Sequence, residues 1–294
     1  MSEIETVREM LRALTGGPTL PDDQMRLAYE QWGLSHPLPA GAEVTNVTLG
    51  GVPAEKIVTP GAATDTALLY LHGGGYVIGS AASHRHLVAA LAQAGSVVGY
   101  SLDYRRAPEA RFPAAVDDAL AAYRALLDSG IAAHRIIIAG DSAGGGLTVA
   151  TALAIKAAEL PQPAGLFAIS PWVDLTQSGD SYAEMAKADL ICSKDELDRL
   201  AALYCGDDRA NPLASPLGGD LKGIAPLLIH VGSDEILLSG ALRLAQRAGG
   251  ARVPVRLMIA PHMPHVWHFM TTELRAAGVA IAQAGAWMRE HLDS

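Results

Sequence analysis

The run Ile136-Ile137-Ile138-Ala139-Gly140-Asp141-Ser142-Ala143-Gly144-Gly145 leaves few folds open to this chain. Its β-branched start reads as a buried strand, and the small residues after Ser142 read as a closely packed helix. Between the two stands Gly-x-Ser-x-Gly. So sharp a turn from strand to helix strains the backbone of the serine and lifts its hydroxyl to the carboxyl edge of the sheet. Gly140 and Gly144 supply room where a Cβ would collide with the neighbouring strand and helix. The helix after Ser142 aims its N-terminal dipole at developing negative charge. Glycine and serine are common, so the strand before and the helix after carry the weight against an ordinary strand–helix turn.

The rest of the chain repeats that unit. Apolar runs at Thr66 to Leu71, Ser96 to Leu102, Arg135 to Ala139, Gly165 to Ile169, Pro226 to Val231 and Val253 to Ile259 lie between helical patterns. The helices are expected at His84 to Ala94, Ala114 to Leu127, Gly145 to Glu159, Ser239 to Ala248 and Thr271 to His291. Several runs lack alternation, as strands buried on both faces of a parallel sheet do, so the expected class is α/β with helices on both faces. Strands before Pro60 are expected to form an antiparallel edge. Residues 1–40 hold one amphipathic helix (Ile4, Val7, Leu11) and a second from Pro21 to Trp32. Residues 41–294 form the main domain. Thr176 to Ala210 breaks the rhythm with its own helix, opened by a capping box of Ser193 and Glu196. Packed with the N-terminal helices above the strand ends, that insertion would form a lid.

A glycine run, His72-Gly73-Gly74-Gly75-Tyr76, follows the strand ending at Leu71. Consecutive glycines let the backbone approach a ligand and turn its N–H groups outward. Two of those donors with the N–H of Ala143 would make an oxyanion hole. Neither GxGxxG nor GxxxxGK[ST] occurs, so a nucleotide site is a poor reading.

A reactive serine needs a base, and the base needs an acid to orient it. After Pro226 to Val231 comes Gly232-Ser233-Asp234-Glu235, where Asp234 leads as the acid and Glu235 is the fallback. After the next strand come His262, His265 and His268, which compete as the base; His265 has the loop-tip position that suits the role. No HExxH occurs, so a metal site is not expected. His84 and His86, two apart on a helix, do not share a face and are expected to be solvated.

Composition closes other doors. Of 294 residues 50% are hydrophobic and 18% charged, which excludes a disordered chain. Thirty-one acidic against 22 basic residues, a formal charge of -9, argue against a nucleic-acid partner. No apolar stretch approaches about 18 residues, so no membrane span is expected. The N-terminus lacks the zones of a signal peptide, and Cys192 and Cys205 form no CxxC, so a cytoplasmic location with reduced thiols is expected.

Four stretches together resemble the bacterial hormone-sensitive-lipase-like esterases, a branch of the α/β-hydrolases. They are HGGGY at His72, DYRRAPEARFPAA at Asp103, GDSAGG at Gly140, and SDEIL with PHVW at Ser233 and Pro264. The likeness covers nearly the whole chain, with Arg106 standing where the family commonly has leucine. It implies Ser142 as nucleophile, His265 as general base and Asp234 as its partner. It also implies Gly74, Gly75 and Ala143 as oxyanion donors, a helical cap, and no metal or organic cofactor. The implied reaction is hydrolysis of short-chain carboxylic esters, roughly butyrate to hexanoate, through an acyl-enzyme. The resemblance leaves the oligomeric state open, with a tendency towards homodimers. An amide or formamide hydrolase such as an arylformamidase uses the same residues. A prolyl-oligopeptidase-type peptidase shares the core but carries a propeller for which this chain has no room. Non-catalytic hormone receptors on this fold lack the triad histidine, so His265 speaks against that class.

Overall fold

The computed structural model describes residues 2–16 and 20–293; positions 1, 17–19 and 294, within the segments discussed above, lie outside it. In chain order the elements are α1 (Glu3–Thr15), α2 (Asp22–Leu34), β1 (Glu43–Leu49), β2 (Val52–Val58), β3 (Ala63–Leu71) and α3 (Ala81–Gly95). Then come β4 (Val97–Leu102), α4 (Ala114–Asp128), β5 (Ile136–Asp141), α5 (Ala143–Ala157) and β6 (Gly165–Ile169). The chain ends with α6 (Ser181–Glu184), α7 (Lys194–Cys205), β7 (Leu227–Gly232), α8 (Leu238–Gly250), β8 (Val255–Ala260) and α9 (Arg275–Leu292).

The strands form one eight-stranded sheet in the order β1-β2-β4-β3-β5-β6-β7-β8. The pairings from β4 through β8 are parallel, and β1 and β2 make the antiparallel edge. Every residue of β5, β6 and β7 is buried, because helices cover both faces. That double cover is why these runs carry apolar residues without alternation. One core cluster takes Leu69, Ile138 and Ile229 with Leu147 of α5; the other takes Leu68, Ile137 and Leu228 with Trp287 of α9.

Register sets the functional edge. Leu71 pairs with Gly140, Asp141 with Ile169, Ile169 with His230, and Gly232 with Ala260. The loops that follow these residues therefore leave the sheet side by side, one strand spacing of about 4.8 Å apart.

α3 corrects one expectation. His84 and His86 are buried, not solvated, with 0% and 2% exposure. α3 lies between the sheet, α9 and α2, and the outer helices sit close because glycines meet its backbone. A Cβ at Gly33 would fall 1.9 Å from the Ser83 carbonyl oxygen, and one at Gly285 would fall 2.4 Å from Ala94. Two residues on different faces of a helix are both buried when both faces are covered.

The 176–210 insertion contains α6 and α7. Ser193 caps α7 by accepting from the Glu196 amide at 3.3 Å, but the Glu196 carboxylate turns to Arg199, so the capping box is half formed. Arg199 also reaches Asp22 of α2 at 2.9 Å, tying the insertion to the N-terminal helices. Leu200 lies over Gly75, where a Cβ would come within 2.5 Å of it. Among the described residues no helix is long and apolar enough to cross a membrane.

Candidate active site

Ser142 stands between β5 and α5 at φ +54°, ψ −119°. An L-residue adopts that conformation only when its surroundings impose it. Here the Ser142 amide donates to the Ile169 carbonyl at 2.8 Å, and its carbonyl accepts from Trp172 at 2.9 Å. Gly140 and Gly144 meet the need foreseen for them: a Cβ at Gly144 would fall 1.9 Å from the Leu71 carbonyl oxygen, and one at Gly140 would fall 2.3 Å from that of Gly144. Strain recurs on the neighbouring loops, with Ser170 at φ +44° and Val266 at φ +50°.

The glycine loop faces this turn. Gly74 and Gly75 have φ of +105° and +61°. Among the described residues the amides of Gly74, Gly75 and Ala143 meet no protein acceptor. The loop is fixed from below by Asp141, the residue before the serine. Its Oδ1 accepts from the Gly73 amide at 3.0 Å and from the Tyr70 hydroxyl at 2.8 Å, and lies 3.3 Å from His84 Nε2. Burial alone would raise the Asp141 pKa, but His84 and Tyr70 outweigh it and keep the carboxylate below its ordinary value. The Tyr104 hydroxyl donates to the His72 carbonyl at 2.7 Å. Arg106, the departure from the family pattern, donates to the Gly79 carbonyl at the loop's far end.

The candidate acid and base lie beyond β7 and β8, and here the geometry departs from the expected residue. The His265 Nδ1 donates to Glu235 Oε2 at 2.9 Å, so the carboxylate on the imidazole is Glu235 and not Asp234. Glu235 is fully buried, and its Oε1 accepts from the Ser170 hydroxyl at 2.8 Å and the Gly232 amide at 2.5 Å. Asp234 turns the other way, to Arg8 of α1 and to the Ser233 hydroxyl. Neighbouring side chains on a tight turn point apart, and only one can face the sheet edge. Ser170 also accepts from the Val266 amide at 3.1 Å. One serine on the β6 loop thus holds both the carboxylate and the segment carrying the imidazole.

Burial disfavours the His265 imidazolium, yet the neighbouring Cys192 and Glu235 side chains outweigh it and hold its pKa above the ordinary value. The Cys192 thiol, against the same ring, is itself pushed up by burial. The other candidate histidines go elsewhere. His262 is exposed, while His268 is buried with its Nε2 3.0 Å from His230 Nδ1. Ser170 carried no sequence motif; its one signal was its place immediately after a buried strand. Asp141 was visible inside GDSAGG, but nothing local revealed what its carboxylate would hold.

Strand order, parallel register and a strained serine at the strand-to-helix turn are those of an α/β hydrolase. The family described as alpha/beta hydrolase fold matches residues 68–269. An acetyl-hydrolase of Streptomyces hygroscopicus is 43% identical over 292 residues, covering 98% of this chain and 96% of that protein. An ethyl acetate hydrolase of Pseudomonas putida is 34% identical over 237 residues, covering 77% of this chain and 73% of that protein. The crystal structure of an esterase from the bacterial hormone-sensitive lipase family superposes with a TM-score of 0.96 at 41% identity, covering 99% of this chain and 100% of the other. The chain belongs to the α/β-hydrolase fold family and, within it, to the bacterial hormone-sensitive-lipase-like esterases, which are carboxylic ester hydrolases.

Proposed function

We propose that Ser142, His265 and Glu235 act as nucleophile, general base and orienting acid in hydrolysis of short-chain acyl esters. The carrying observation is the 2.9 Å contact of Glu235 with His265 Nδ1, taken together with a serine strained at φ +54° at the same sheet edge. That contact leaves Nε2 to take the Ser142 proton as Oγ attacks the carbonyl. Gly74, Gly75 and Ala143 donate to the oxyanion, and Glu235 steadies the imidazolium. His265 then protonates the leaving alcohol, and a water repeats the sequence to release the acid.

A short acyl chain is supported by relatives named for acetyl groups and ethyl acetate. Buried aromatic side chains pack close to the turn. Tyr76 and Tyr204 stack with centroids 3.7 Å apart, and Trp172 is tied by its amide to the serine carbonyl. The α1, α2 and 176–210 segments serve as a cap over the strand ends, joined by the Arg199–Asp22 ion pair and with Leu200 against Gly75. Two free cysteines suit a cytoplasmic setting.

The test is an aryl-ester chain-length series, with N-formylkynurenine alongside, run on the wild-type chain and Ser142→Ala. Turnover should peak between butyrate and hexanoate and fall about 10⁶-fold in Ser142→Ala. A peak at ten or more carbons, or faster turnover of the formamide, overturns the substrate assignment. Full activity in Ser142→Ala overturns the mechanism.

A further inference from the structure

We infer that Arg8, on the N-terminal helix α1, is a positioning residue for the Glu235–His265 pair. This rests on the triad reading above and goes beyond it. α1 lays Val7 and Leu11 into an apolar cluster with Trp267, Met270 and Leu274, the segment directly after His265. That seating carries Arg8 to the two loops that hold the acid and the base. Its guanidinium donates to Asp234 Oδ2 at 2.5 Å and to the His262 carbonyl at 3.3 Å. Asp234 is one residue before Glu235, and His262 is three before His265.

The link closes into a ring. Asp234 Oδ1 accepts from the Ser233 hydroxyl at 2.7 Å, and Ser233 Oγ accepts from the His262 amide at 2.7 Å. The Asp234 amide donates to the Met263 carbonyl at 3.3 Å. Arg8 is the one member from outside the two loops, 226 residues from Asp234. It touches neither Glu235 nor His265, so it acts through the backbone that carries them. It also neutralises Asp234 and holds it outward, which decides which of two adjacent carboxylates faces the imidazole. A charge-assisted bond from one guanidinium nitrogen, shared with the His262 carbonyl, is strong enough for that task. Docking of α1 is thereby coupled to alignment of the base.

The test compares Arg8→Met, which keeps most of the apolar stem, with Arg8→Lys, Asp234→Asn and the double variant Arg8→Met/Asp234→Asn. Each is assayed for kcat and KM on a short aryl ester, and for the rate at which a p-nitrophenyl phosphonate labels Ser142. Arg8→Met should lower kcat and the labelling rate roughly 10-fold with KM within about two-fold, as loss of alignment without loss of binding requires. Asp234→Asn cuts the same link without touching α1 and should match it. The double variant should be no worse than either single one, and Arg8→Lys should recover most of the loss. A rise in KM at unchanged kcat overturns the inference, as do additive losses in the double variant. So does an equal loss in Arg199→Met, which loosens the cap away from these loops. A wild-type chain that the phosphonate fails to label would instead overturn the triad reading itself.

Discussion

The turn at Ser142 and the turn at Asp234 both end a buried parallel strand and both present a side chain at the same sheet edge, but they are determined differently. At Ser142 the determinants lie within a few residues: a β-branched strand, two glycines whose Cβ atoms would strike carbonyl oxygens, and a helix starting at once. At Asp234 and Glu235 the backbone offers two carboxylates, and the choice comes from Ser170 and Arg8, far away in the chain. Sterics within a turn are a local property. Which of two adjacent acids faces inward is a tertiary one.

The sharpest way to break this comparison is to exchange the two acids. Glu235→Gln keeps the shape but offers the Nδ1 proton a neutral partner, and turnover should fall about 10⁴-fold, as when a triad acid becomes an amide. The acid limb of kcat/KM should also move. In the wild-type chain the raised His265 pKa puts that limb above about pH 6.5, since the base must be neutral to act. Glu235→Gln should shift it to lower pH. A loss in Asp234→Asn larger than that in Glu235→Gln would return the acid's role to Asp234.

The same contrast explains what could be read in advance. The strands, their parallel order and the serine turn follow from runs buried on both faces and from glycines with a steric reason, so they were legible. Glu235 and not Asp234 meets His265 because the strand end fixes where the loop begins and not which side chain turns inward. His84 and His86 were misread for a related cause. Helical spacing shows which residues share a face, but it does not show that α2 covers one face while the sheet covers another.

A smaller effect tests the local half. Gly144→Ala places a Cβ where the Leu71 carbonyl oxygen stands, a clash with backbone on both sides that repacking does not relieve. It should cost on the order of 3–4 kcal/mol in urea unfolding, near the top of the range for single substitutions. Loss of less than about 1 kcal/mol would mean that the turn tolerates a side chain, and that its glycines serve a different purpose.

The smallest effect asks whether the two halves are equally sensitive to acid. His72 lies on the glycine-loop side and His230 on β7 beneath the acid loop. Burial lowers both to a pKa of about 3, with His84 adding to the effect at His72. The folded state keeps them neutral while the unfolded chain binds protons below about pH 6.5, so their contribution is full above that pH and declines as pH falls. His265 has the opposite sign: its raised pKa adds stability below about pH 6.5 that is lost as pH rises through the folded value. From pH 6.5 to pH 5, unfolding free energy should therefore drop by about 2 kcal/mol for each of His72 and His230. Equilibrium denaturation across that window reads the sum, and His230→Asn should remove about half of the part due to these two rings. Hydrogen exchange at pH 5 then shows where the loss falls. Protection should decline together in β3 and β7, since His72 follows β3 directly, His230 lies in β7, and both strands belong to one sheet. A decline confined to β7 would show that the acid side opens alone, and that the two halves are separate units in stability as well as in origin.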